Sequence, residues 1–168
     1  AIGAVPARAD PRDALVARDG LTLHDLPQEA SVGTGSPRRA AQLLAVRPDL
    51  TIVDIRGNVD TRLGRVKGLG HYAKGGGKED LDAVVLAASG LARLGHSGTV
   101  TEFLDPSVVL PAPAQGALAV ECRTADSRHG KLAKALARID DRRTRLAATA
   151  ERAVLSHLEA GCAAPIGA

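Results

Sequence analysis

Two stretches of the sequence place arginines where an anion would be bound: Ser31-Val32-Gly33-Thr34-Gly35-Ser36-Pro37-Arg38-Arg39, and Asp54-Ile55-Arg56-Gly57-Asn58-Val59-Asp60-Thr61-Arg62-Leu63. In the first, a short apolar run meets a Gly-Thr-Gly turn and then a hydroxyl N-cap followed by proline, the usual opening of a helix. Backbone amides at such a turn, the positive end of the helix dipole and the two guanidinium groups one step inside all favour negative charge. The second stretch carries Arg56 and Arg62 to a similar edge. A single arginine of this kind is as well explained as a solvated helix-surface residue. Two consecutive corners together point to a ligand with several carboxylates or phosphates.

The elements that must hold these corners follow from the pattern. Asp13 to Arg18 predicts a brief apolar strand, Leu21 to Glu29 a turn or short helix, and Ser31 to Thr34 a strand. Ala40, Ala41, Leu43, Leu44 and Val46 recur at helical spacing until Pro48 stops them. Leu50 to Ile55 reads as a strand, Asn58 to Val66 as a helix, Asp82 to Ala87 as a buried strand and Ala88 to Leu94 as a short helix. Thr99 to Leu104 is expected to add a helical turn, and Val108 to Leu110 a strand. This alternation predicts an α/β layer with a mainly parallel sheet, whose ligands sit at the carboxyl ends of the strands.

The remainder is organised around it. Ala1 to Pro11, with prolines at 6 and 11, reads as an incoming linker. Gly68 to Asp80 holds five glycines and is expected to be a mobile surface loop. Its Gly75-Gly76-Gly77-Lys78 resembles a phosphate-binding loop only loosely. Pro111 to Gly116 has a restricted backbone and is expected to cross between domains. Beyond it, Ala117 to Glu121 predicts a strand of a different sheet, Asp126 to Ala137 a helix, and Asp141 to Glu159 a long helix leading to Cys162.

Composition narrows the class. With one Phe, one Tyr and no Trp among 168 residues, the core must be Leu, Val, Ile and Ala. The net charge of +3 is mild, and with so few aromatics for base stacking a nucleic-acid partner is not expected. No apolar run reaches the length of a membrane span, so a cytoplasmic protein without a membrane partner is the expectation. The chain has no methionine and starts in mid-pattern, which leads us to expect a fragment or processed product. Its two cysteines, Cys122 and Cys162, lack the neighbours of a metal site, and no metal is expected. Each thiol, taken alone, is most simply an inert one.

Four motifs in order, Val32 to Arg39, Arg56 to Leu63, Leu110 to Ala117 and Leu158 to Gly167, resemble the porphobilinogen deaminase (hydroxymethylbilane synthase) family. The resemblance implies a three-domain transferase of tetrapyrrole (heme) biosynthesis. Such an enzyme condenses four porphobilinogen molecules head to tail, releases ammonia and acts as a monomer. Its first two domains would be like type II periplasmic binding proteins. It also implies a covalent dipyrromethane cofactor on Cys162, held by Arg38, Arg39, Arg56, Arg62, Thr34 and Ser36, with Arg93 and Arg8 as substrate-binding residues.

By the same resemblance, residues 1–7 are a linker from domain 1, 8–110 are domain 2, 111–138 cross and return to domain 1, and 139–168 begin domain 3. The family's catalytic aspartate would precede Ala1, so no catalytic residue is assigned in this chain, and the 168 residues alone are expected to be inactive. The Gly68 to Asp80 stretch is longer than the family's usual connector. A module of the periplasmic-binding type that holds an organic anion without chemistry shares the arginine corners, and only a covalent adduct on Cys162 separates the two.

Overall fold

The computed structural model describes residues 1–127, 129–159 and 164–168. Its elements in chain order are β1 (Ile2–Ala4), β2 (Asp13–Ala17), β3 (Ser31–Gly33), α1 (Pro37–Val46), β4 (Thr51–Val53), α2 (Val59–Leu63), β5 (Ala83–Ala87), α3 (Ala88–Arg93), β6 (Glu102–Phe103), β7 (Val120–Glu121), α4 (Gly130–Ile139) and α5 (Arg142–His157). Five strands form one sheet in the order β4-β3-β5-β2-β6. β3 runs parallel to β4 and β5, whereas β2 is antiparallel to both β5 and β6. The sheet is therefore mixed, not mainly parallel. The expectation of parallel strands came from counting strand-helix alternations, but no helix follows β2, so the chain does not enter β3 by a crossover from its neighbour.

The two central strands explain themselves by burial. β5 is Ala-Val-Val-Leu-Ala and β2 is Asp-Ala-Leu-Val-Ala, with no polar face, because both sides of the sheet are covered. Leu15, Ala83 and Val85 pack on one side with Leu43 of α1. Ala14, Val16, Val84 and Leu86 pack on the other with Leu63 of α2 and Leu91 of α3. Full burial of each such Leu or Val side chain stabilises the fold by about 1.5–3 kcal/mol.

Two further expectations need correction. Thr99 to Leu104 is not a helical turn: Ser97–Thr99 form a 3-10 turn, and β6 then joins the edge of the sheet against Ala14 and Leu15. Its Phe103 is covered by the Arg12 guanidinium, 4.5 Å from the ring centre, a pairing that no local spacing announces. Val108 to Leu110 is a turn and not a strand; Val109 is fully buried all the same, which is why the apolar run looked like one. The opening residues, expected as an incoming linker, carry β1, which pairs with β7 in a separate antiparallel sheet. The expectation that the 117–121 run belongs to another sheet agrees with this pairing.

The glycine-rich connector is tightly folded on itself. Gly77 N–H donates to Gly70 O (2.9 Å), and Gly70 N–H donates to Glu79 Oε1 (2.7 Å). A Cβ at Gly77 would fall 1.7 Å from the Gly64 carbonyl oxygen, so glycine is required there by sheer proximity. The long C-terminal helix begins at Asp141, whose side chain accepts from Thr144 N–H at 2.7 Å. α5 is fastened to the rest through Glu151, which accepts both terminal nitrogens of Arg8 and the Ala114 amide.

Candidate anion-binding site

The β3–α1 corner forms as its sequence dictates. Ser36 caps α1, with its hydroxyl accepting from Arg39 N–H at 3.4 Å, and Pro37 occupies the first helical position. Thr34 Oγ1 accepts from Ser36 N–H at 3.2 Å. Two amides that the sequence suggested as free for a ligand are thus engaged by the turn's own hydroxyls. The β4–α2 corner lies against it: a Cβ on Gly35 would stand 2.7 Å from the Ile55 carbonyl oxygen, so only glycine lets the two turns touch. Asn58 caps α2, with Oδ1 accepting from Thr61 N–H at 2.9 Å.

Both corners open at the carboxyl ends of the parallel strands, and the arginines distribute over adjoining hollows there. Arg39 and Arg62 line one of about 280 Å³, together with Gly57, Asn58 and Gly90. Thr34, Ser36 and Arg56 line a second, with Asp54. Arg38 lines a third, with Ser36, Pro37, Pro113, Ala164 and Ile166. Ser36 and Pro37 are shared between the second and third, which brings Arg38 and Arg56 to one stretch of surface, whereas the hollow of Arg39 and Arg62 shares no lining residue with either. Arg93, at the end of α3, is exposed. Arg8 belongs to none of these hollows: it donates to Glu151 and to the Gln115 carbonyl. Cys162 lies outside the described residues.

The electrostatics of the two corners differ. Arg38 and Arg39 are 4% and 9% exposed, and both donate to one fully buried carboxylate, Asp13, at 2.8 and 2.7 Å. Arg38 also donates to Leu110 O, and Arg39 to Val85 O at 3.2 Å. Arg39 Nε has no acceptor, the one such buried side-chain atom among the described residues. Arg56, by contrast, is largely exposed beside Asp54 at 3.3 Å, and Arg62 donates from Nε to Gly57 O at 2.9 Å.

Two residues of this arrangement escaped the sequence reading, Asp13 and Gln115. Gln115 Nε2 donates to Asp13 Oδ1 (2.8 Å) and to Pro11 O (2.6 Å). The available signal was a lone carboxylate at the head of an otherwise apolar strand, Asp13-Ala14-Leu15-Val16-Ala17; such a group must find cations inside the fold.

A second buried carboxylate stands at the opposite end of the sheet. Asp82 accepts from Lys67 Nζ, Arg18 Nε, Ser31 N and Ser31 Oγ at 2.8–2.9 Å. Its burial by itself raises the carboxyl pKa. The hydrogen bonds from Lys67, Ser31 and Arg18 outweigh that and hold it well below the ordinary carboxylate range.

Two family models match parts of this chain. Residues 1–131 match the family model described as porphobilinogen deaminase, dipyromethane cofactor binding domain. Residues 145–168 match that described as porphobilinogen deaminase, C-terminal domain. The chain is 98% identical over its whole length to a porphobilinogen deaminase of Cutibacterium acnes, covering 50% of that protein. It is 58% identical to one of Micrococcus luteus over 99% of the chain and 49% of the relative. With one of Mycobacterium avium it shares 60% identity over all of the chain and 49% of the relative. The chain spans about half the length of the curated relatives it matches. By the match of the first model over more than half its residues, the chain belongs to the porphobilinogen deaminase family.

Proposed function

We propose that the chain supplies the polycarboxylate-gripping half of a transferase that condenses four porphobilinogen molecules to hydroxymethylbilane with release of ammonia, in tetrapyrrole synthesis. Each pyrrole unit carries an acetate and a propionate, so substrate, growing chain and product are all polyacids. Planar guanidinium forks match that load better than ammonium groups would. The observation that carries the reading is the hollow shared by Arg39 and Arg62 at the carboxyl ends of β3 and β5.

The donor set suits a dipyrromethane cofactor. Arg38, Arg39, Arg56 and Arg62, with Thr34 and Ser36, supply cationic and hydroxyl donors to three hollows, and Arg39 Nε lacks an acceptor. Bound through Cys162, the cofactor would provide the pyrrole end to which substrate is added. The arginines bind and orient its carboxylates, and Arg93, exposed at the end of α3, serves the incoming substrate; Arg8 is held instead by Glu151 and the Gln115 carbonyl. The buried position of Arg38 and Arg39 keeps their interactions strong by excluding water.

The reading extends to organisation. Residues 1–7 link from a first domain, 8–110 form a second of the type II periplasmic-binding class, 111–138 cross and return, and 139–168 begin a third. The complete enzyme is a cytoplasmic monomer with no nucleic-acid or membrane partner, and the isolated 168 residues are inactive. Among the described residues no helix is long and apolar enough to cross a membrane.

The test is made on the full-length protein. Peptide mass analysis is expected to find a dipyrromethane increment on the Cys162 peptide, absent in Cys162→Ser, and the protein is expected to consume porphobilinogen. An unmodified Cys162 peptide together with no porphobilinogen consumption would instead identify a module that holds organic anions without chemistry.

A further inference from the structure

A carboxylate with no solvent exposure stands behind the arginine corner. Asp13 heads β2 and is the strand's one charged side chain. An ionised carboxylate so placed is costly unless its surroundings compensate it. Arg38 Nη2 donates to Oδ2, and Arg39 Nη2 and Gln115 Nε2 both donate to Oδ1, all within 2.8 Å.

These partners come from two separate pieces of chain. The arginines belong to α1; Gln115 belongs to the Pro111–Gly116 crossing. That crossing is stitched to residues 9–11 by Gln115 Nε2 to Pro11 O at 2.6 Å and by Ala9 N–H to Gly116 O at 3.1 Å. One carboxylate oxygen therefore connects the orientation of Arg39, which lines the hollow with Arg62, to the position of the crossing. One carboxylate facing two guanidinium groups also leaves the trio with a single positive charge, less than the sequence suggests.

We infer that Asp13 is a positioning residue for the anion site and that Gln115 acts through it: together they hold Arg39 in the hollow only while the crossing is seated. This rests on reading the corner as a carboxylate site.

Three variants of the full-length protein test it: Asp13→Asn, which keeps the shape and removes the charge, Gln115→Leu, which keeps the bulk and removes both donors, and the double variant. The share of protein carrying the dipyrromethane increment on the Cys162 peptide is expected to fall about tenfold in Asp13→Asn and about threefold in Gln115→Leu. Because Gln115 acts through Asp13, the double variant is expected to be within about 1.5-fold of Asp13→Asn. Independently of cofactor loading, phenylglyoxal is expected to label the Arg38–Arg39 peptide faster in both single variants. Arg47, held elsewhere by Asp49 and the Leu23 carbonyl, should stay protected if the fold is intact.

Should Asp13→Asn fail to fold, Gln115→Leu alone decides. Unchanged cofactor loading and labelling in Gln115→Leu, or effects that multiply in the double variant, overturn the inference. A parent protein that consumes no porphobilinogen defeats the functional reading instead, and the labelling still decides whether Asp13 and Gln115 hold the arginines.

Discussion

The β3–α1 and β4–α2 corners are near copies in sequence, each a strand, a glycine turn, a polar cap and an arginine pair. Yet one pair is buried on a shared carboxylate, while of the other Arg56 stands largely in water and Arg62 is half-buried against the Gly57 carbonyl. The difference arises from what lies behind each turn. α1 leans over the head of β2, which offers Asp13, whereas Arg56 has only Asp54, two residues away and itself exposed. Guanidinium groups fixed in advance lose little freedom when a ligand arrives, and those in solvent must be ordered by it. The first corner therefore sets geometry and the second adds attraction at range.

The comparison can be broken most severely at its centre. Asp13→Ala would strand two buried cations, and a loss of about 3–5 kcal/mol is expected by urea denaturation, against near-neutrality for Asp54→Ala. Next in size is Asp82→Asn, expected to cost about 1.5–3 kcal/mol at neutral pH, since it weakens the hydrogen bonds from Lys67, Arg18 and Ser31 to a charged group. Because the carboxyl pKa of Asp82 is depressed in the fold, its contribution is complete above the unfolded value near pH 4. It is lost as pH falls through the folded value, so Asp82→Asn should flatten the acid limb of a stability–pH profile below about pH 4.

A smaller effect separates the caps from the cations. Ser36→Ala is expected to cost about 1 kcal/mol by thermal unfolding. Least costly to the fold is Arg56→Ala, within about 0.5 kcal/mol. Its ligand affinity should drop more at low salt than at high, whereas Arg39→Ala should weaken binding at both.

The parts of the fold that were legible in the sequence are those governed by local rules. The cap at Ser36, the helix to Val46 and the wholly apolar β5 follow from spacing and composition alone. The direction of β2 was not legible, because strand polarity depends on partners seventy residues distant. Nor was β6: Thr101, Glu102 and Phe103 have no period of their own, and they lie in the sheet because Ala14 and Leu15 offer an open edge. At the site, four arginines could be named from their turns. That two of them are already occupied by Asp13 could not, since the strand that bears it is read for its apolar residues.

The pairing of β1 with β7 has a kinetic consequence. Ala1 and Cys122 are hydrogen-bonded although 121 positions apart in sequence, whereas β3 meets β4 after a single helix. Joining such distant ends costs chain entropy before any contact repays it. The α/β layer should accordingly gain its protected amides early during refolding, with the strap that joins its two ends zipping up last.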